Sequence, residues 1–209
     1  MTTLISCLLS FLIGGIPFGY LIGRVLLKDD IRNHGSGNIG ATNVGRVIGW
    51  KWGGLVLFLD ALKGLLPTLG AMTFAARELP ETMHWHLPVA AGISAIVGHM
   101  YPVYLKLRGG KGVATALGVV LILAPKAVAV AFAVFLIAVG ISRIVAVASM
   151  LAAIAFGVTQ LWLMGSTALE TRTLSLTAFA VGIPLLIVWR HRSNIAKMVK
   201  SRRDRRSAS

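Results

Sequence analysis

Apolar positions run in long blocks, with the polar positions gathered between them. Leu4–Leu26, Trp50–Ala75, Pro88–Leu105, Ile144–Met164 and Leu174–Trp189 are apolar segments, and Val113–Ile141 is a longer one. A helix of ~20 such residues crosses the ~30 Å hydrocarbon core of a bilayer, so each block predicts a transmembrane helix. Pro17 and Gly19 should bend or loosen the first, and neighbouring helices must then satisfy the freed backbone groups. Arg77–Leu87 is a polar connection, with Trp85 as an interfacial anchor.

Val113–Ile141 reads either as one long span or as two short helices around Pro125-Lys126. Charge separates the two. With one span, the basic tail and the loop containing Lys106, Arg108 and Lys111 fall on opposite sides of the membrane. With two, all the basic loops share one face, and only Arg77, Lys126 and Arg172 lie on the other. The positive-inside rule favours two. The expected architecture is therefore an all-α integral membrane protein of seven transmembrane helices, N-terminus outside and C-terminus cytoplasmic. One membrane domain would cover residues 1–195, with a basic cytoplasmic tail over 196–209.

Composition agrees with a membrane protein. The chain is 56% hydrophobic and 13% charged over 209 residues, too apolar for an ordinary soluble domain. The formal charge of +14 is concentrated late, at Lys197, Lys200, Arg202, Arg203, Arg205 and Arg206. Such a tail suits anionic lipid on a membrane protein. The aromatic platforms that would make it a nucleic-acid site are missing, so no nucleic-acid partner is expected. Cys7 stands alone, which excludes an internal disulfide. The N-terminus lacks a basic leader region and reads as a retained helix.

The candidate chemistry lies in three polar segments. The first, Asn33–Arg46, combines Gly35, Gly37, Gly40 and Gly45 with Ser36, Asn38, Thr42, Asn43 and Arg46. Glycines permit close approach to a ligand, and N–H groups beside an arginine suit a phosphate; a flexible connector is the bland alternative. The second, Leu107–Thr115, holds Gly109, Gly110, Lys111 and Gly112 ahead of a new helix whose first N–H groups favour an anion. It is not a Walker A loop, since Gly112 stands where serine or threonine belongs. The third is Arg190–Ile195, in which His191 and Asn194 share a helix face and Arg190 and Arg192 read equally well as snorkelling arginines. No Asp or Glu occurs in Ile31–Leu59, Lys106–Thr115 or Arg190–Ile195. That suits an anionic substrate and argues against a carboxylate-held metal or paired-carboxylate catalysis. Asp60 and Lys63, at i and i+3 inside the second span, read either as a packing ion pair or as support for the site.

Ser36–Arg46, then Gly98-His99-Met100-Tyr101-Pro102 leading to Gly109–Thr115, then His191–Ile195, resemble in order the motifs of the bacterial acyl-phosphate:glycerol-3-phosphate acyltransferases, the PlsY family. Asp60–Gly64 also looks like a family feature, and the resemblance covers nearly the whole chain. It implies an enzyme of the bacterial inner membrane, with its site facing the cytoplasm and no cofactor. The reaction implied is acyl transfer from acyl phosphate to the 1-hydroxyl of glycerol 3-phosphate, giving lysophosphatidic acid and phosphate. By position, Ser36, His191 and Asn194 match catalytic residues. Arg46, with Asn38, Thr42 and Asn43, and the loop Gly109–Gly112 match substrate-binding positions. Ser193 departs from the pattern, where family members often carry an acidic residue. An anion or phosphate-ester transporter is the competing class, but it calls for inverted repeats and midplane sites that the chain does not show.

Overall fold

The structure is a computed structural model that describes residues 1–206; residues 207–209 of the expected tail lie outside it. It is all-helical among the described residues. The α-helices are α1 (Thr2–Gly15), α2 (Phe18–Leu26), α3 (Ala41–Val47), α4 (Trp50–Glu78), α5 (His86–Met100), α6 (Val113–Leu123), α7 (Pro125–Ser142), α8 (Val145–Met164), α9 (Leu174–Arg190) and α10 (Arg192–Arg206). α10 crosses the domain boundary expected at residue 195.

Among the described residues, six helical stretches are long and apolar enough to cross a membrane. The first comprises α1 and α2, broken at Ile16–Pro17 where proline cannot continue the ladder. The freed Ile16 carbonyl accepts a hydrogen bond from Lys63 Nζ of α4 at 2.7 Å, so a neighbouring helix does satisfy it. Val113–Ile141 does divide in two. Ala124 leaves helical geometry at φ −152° and Pro125 opens α7. α6 has 11 residues, about 17 Å at ~1.5 Å per residue, roughly half the hydrocarbon core.

Small residues let the central helices touch. A β carbon on Gly98 of α5 would meet the Phe11 carbonyl of α1, and one on Gly118 of α6 would meet the Ala61 carbonyl of α4. Backbones at this distance gain dispersion contacts that lipid tails cannot supply. The main core joins α5, α6, α7, α8 and α9 around Ile96, Met100, Val119, Phe156 and Phe179. A second core of Ile31, Ile39, Val44, Val56 and Leu105 lies under the first polar segment.

Candidate active site

The first segment is organised by one side chain. Asn43, 2% exposed, accepts from the Ser36 N–H through Oδ1 at 2.7 Å. Its Nδ2 reaches the carbonyls of Asn38, His34 and Ile31 at 2.8, 3.1 and 3.3 Å. Asn43 is thus spent on the backbone of its own loop. Asn38 forms a local turn in which its Oδ1 accepts from the Gly40 N–H at 2.8 Å. Thr42 is half-buried in the first turn of α3, whereas Ser36 and Arg46 are exposed. Among the described residues the Ser36 hydroxyl and the Arg46 guanidinium donate to no protein group.

The second segment is shaped by α5 and α9. Lys106 and Leu107 turn the chain with φ of 53° and 63°, a left-handed pair unusual for side chains of their size. The Gly109 and Gly110 amides then donate to the Met100 and His99 carbonyls at 3.2 and 3.1 Å. These two amides are therefore occupied, and the unpaired donors of the loop are those from Lys111 into the first turn of α6. Gly112, at φ +82°, is the N-cap, a conformation that favours glycine. The Gly110 carbonyl accepts from Arg190 Nη2 at 2.5 Å, while the guanidinium packs 5.1 Å from the centre of the Tyr101 ring.

The third segment closes on the second. Lys111 Nζ donates to Asn194 Oδ1. His191 is buried, and its Nδ1–H donates to the Ile187 carbonyl at 2.8 Å. A carbonyl can only accept, so the neutral ring keeps a lone pair on Nε2. Burial, and then the cations Lys111 and Arg190, push His191 below the ordinary histidine range, against a partial upward pull from the Ile187 bond. The imidazole is accordingly neutral at pH 7. Burial first, then Lys197 and Arg190, lower Lys111 to about 8. An anion bound beside Lys111 would relieve that repulsion.

The second and third segments thus make direct contact. The first joins them through the apolar cluster that Leu105, just ahead of the glycine loop, shares with Ile31, Ile39 and Val44. Next to the loop an apolar cavity of about 170 Å³ opens between α6, α7, α8 and α9. It begins at Val113 and Ala114, passes Phe132, Phe156 and Ile187, and has Ser149 as its one hydroxyl-bearing residue. Lys111, the unpaired amides and the apolar cavity therefore come together at the start of α6.

Two structural participants went unassigned from sequence. Arg190 reads from sequence as a snorkelling arginine but turns inward to the loop. Its neighbour Arg192 packs 4.1 Å over the exposed Trp189 ring, as a surface arginine does. His99 lies in the Gly98–Pro102 motif and is 3% exposed beneath Gly110. Only helix apposition reveals either role.

The profile of the family described as glycerol-3-phosphate acyltransferase matches residues 4–201. A glycerol-3-phosphate acyltransferase of Myxococcus xanthus is 46% identical over 95% of this chain and 96% of its own length. One of Staphylococcus aureus is 39% identical, with 96% of each covered. The crystal structure of PlsY, an integral membrane glycerol 3-phosphate acyltransferase, in its glycerol 3-phosphate form, superposes with a TM-score of 0.84 at 37% identity, covering 97% of this chain and 94% of that one. The lysophosphatidic acid form gives 0.80 at 36%, with the same coverage. With a profile match over nearly its whole length and relatives well above 30% identity, the chain belongs to the glycerol-3-phosphate acyltransferase family PlsY and is an integral membrane acyltransferase of lipid biosynthesis.

Proposed function

We propose that the enzyme transfers an acyl group from acyl phosphate to the 1-hydroxyl of glycerol 3-phosphate, releasing 1-acylglycerol 3-phosphate and inorganic phosphate. The observation that carries this is the junction at the start of α6. There Lys111 and unpaired amides face the polar site, while Val113 and Ala114 open the apolar trough. An acyl phosphate needs that pairing, phosphate on one side and alkyl chain on the other. Solved PlsY structures with glycerol 3-phosphate and with lysophosphatidic acid support an acceptor and a product of this kind.

Lys111 and the first amides of α6 hold the donor phosphate and offset its charge. Arg46 takes the phosphate of glycerol 3-phosphate. Ser36, His191 and Asn194 orient the glycerol, and Asn43, Gly109 and Gly110 hold the loops in shape. The 1-hydroxyl oxygen attacks the acyl carbonyl carbon and a new ester C–O bond forms. The bond from that carbon to the phosphate oxygen breaks, and phosphate leaves with the electron pair. The donor is already activated, so no enzyme nucleophile is required. His191 Nε2 accepts from the 2-hydroxyl and so orients the glycerol, while a substrate phosphate takes the proton of the attacking 1-hydroxyl. The seven-helix arrangement, with this site on the cytoplasmic face of the inner membrane, is supported by the charge count, which brings the basic loops to one face when Val113–Ile141 crosses twice. Cysteines placed at Lys126 and Lys200 in a Cys7→Ser chain should label from opposite sides.

The reaction is tested with purified enzyme, acyl phosphate and glycerol 3-phosphate. Lysophosphatidic acid and phosphate should form in equal amounts, with no acyl group trapped on Ser36, and His191→Gln should keep substantial kcat. A stable acyl-Ser36 adduct would refute direct transfer. A kcat loss of about 10²–10⁴-fold at unchanged KM would make His191 the general base.

A further inference from the structure

The ion pair of Asp60 and Lys63 in α4 takes no part in the reaction above. Both residues are buried, at 2% and 3% exposed, inside a helix long and apolar enough to cross the membrane. Lys63 Nζ lies 2.7 Å from Asp60 Oδ1. Desolvation offsets much of that attraction, and apolar residues of similar volume often stabilise a fold as well or better. Stability alone is therefore a poor reason for a charged pair at this place.

The other contacts of Lys63 fall on the break between α1 and α2. Its Nζ donates to the Ile16 carbonyl at 2.7 Å and lies 5.5 Å from the centre of the Phe18 ring. It thus holds the residues on both sides of Pro17. The two helices that meet there have different partners. α1 is locked to α5, since a β carbon on Gly14 would fall on the Ala95 backbone and one on Gly98 on the Phe11 carbonyl. α2 instead carries the first polar segment. A β carbon on Gly19 would fall on the Ile39 carbonyl, and one on Gly23 would lie 2.8 Å from the β carbon of Ile31. Ile31 and Ile39 are buried, and they flank Ser36 in the chain.

We infer that Lys63 is the positioning residue of the first polar segment. It fixes the angle at Pro17, and α2 carries that angle to Ile31 and Ile39. The loop braced by Asn43 follows as one body, with Ser36 and Arg46 on it. Asp60 supplies the counter-charge that a cation buried there needs. Gly23 lies seven residues beyond Ile16. That is ~10 Å of helix, so a tilt of about 6° at the break moves the loop by ~1 Å, enough to cost ~10² at a reacting site. Neither Lys63 nor Asp60 touches substrate. The inference rests on the reading that Ser36 and Arg46 serve the reaction.

The test removes both charges together in the full-length, detergent-purified enzyme. Asp60→Asn/Lys63→Met leaves no unpaired charge behind, so its thermal unfolding midpoint should match or exceed that of the wild type. The loop should shift all the same, and kcat/KM for glycerol 3-phosphate should fall by about tenfold or more. Spin labels on cysteines at the exposed positions Val25 of α2 and Ile141 of α7, in a Cys7→Ser chain, report the shift directly. Their distance distribution should be displaced or broadened by the double substitution. A purely structural pair would move neither readout once the fold is kept. A stable double variant with kcat/KM within about twofold of wild type would overturn the inference, and so would lost activity with the label distance unchanged. Should the variant not fold, Asp60→Asn/Lys63→Gln, whose shorter neutral side chain stops short of Ile16, replaces it in both comparisons. The labels need no acyl transfer. A wild-type enzyme that forms no lysophosphatidic acid from acyl phosphate would refute the proposed reaction. The inference would then stand if the label distance moved and fall if it did not.

Discussion

The two glycine-rich segments of the site are held in opposite ways. Asn33–Arg46 is braced from within, because one buried side chain, Asn43, satisfies the backbone at Ser36, Asn38, His34 and Ile31. Gly109–Gly112 has no such brace. It is held from outside, by His99 and Met100 of α5 below and Arg190 of α9 above. A self-braced loop can present Ser36 and Arg46 to solvent and still keep its shape. An externally clamped loop depends on the packing of two helices, so its geometry is tied to the core of the bundle.

The difference sets an order of sensitivity. Gly110→Leu should have the largest effect. A leucine cannot sit over the His99 ring, and a displaced Lys111 should lower kcat/KM by about 10²-fold or more in steady-state assays. A folded Gly110→Leu enzyme with normal kinetics would reduce the loop to a connector. Asn43→Ala comes next. It strips the brace from one loop only, at a cost of roughly 1–3 kcal/mol for the buried groups left unpaired. Thermal unfolding should report that loss, with KM for glycerol 3-phosphate rising more than KM for the donor. The smallest effect is on pH dependence. Lys111 is protonated below about 8 in the free enzyme and loses its charge above it. kcat/KM for acyl phosphate should therefore fall as pH rises through about 8. Lys111→Arg, which stays protonated, should lack that alkaline limb whatever its absolute rate.

The same contrast explains what the sequence made legible. Long apolar blocks marked the helices, and the charge balance around Pro125-Lys126 divided α6 from α7. The i, i+3 spacing of Asp60 and Lys63 carried their ion pair, 2.7 Å in the fold. Each of these signals is local or one-dimensional. That the amides of Gly109 and Gly110 are already occupied, and that Asn43 faces its own loop, depend on where α5 and the loop backbone turn in space. His99 and Arg190 acquire their roles only when α4, α5 and α9 converge. No spacing along the chain encodes that convergence, and Arg190 differs from its surface neighbour Arg192 only in the direction it faces.

In the proposed reaction the donor phosphate falls to the clamped loop and the glycerol phosphate to the self-braced one. The most direct measurement is the pair of KM values in Lys111→Ala and Arg46→Ala, with both substrates varied. A split is expected: Lys111→Ala raises KM for acyl phosphate by about tenfold or more, Arg46→Ala does the same for glycerol 3-phosphate, and each leaves the other substrate within about twofold. If both variants weaken the same substrate, or each weakens both equally, the two loops do not divide the substrates.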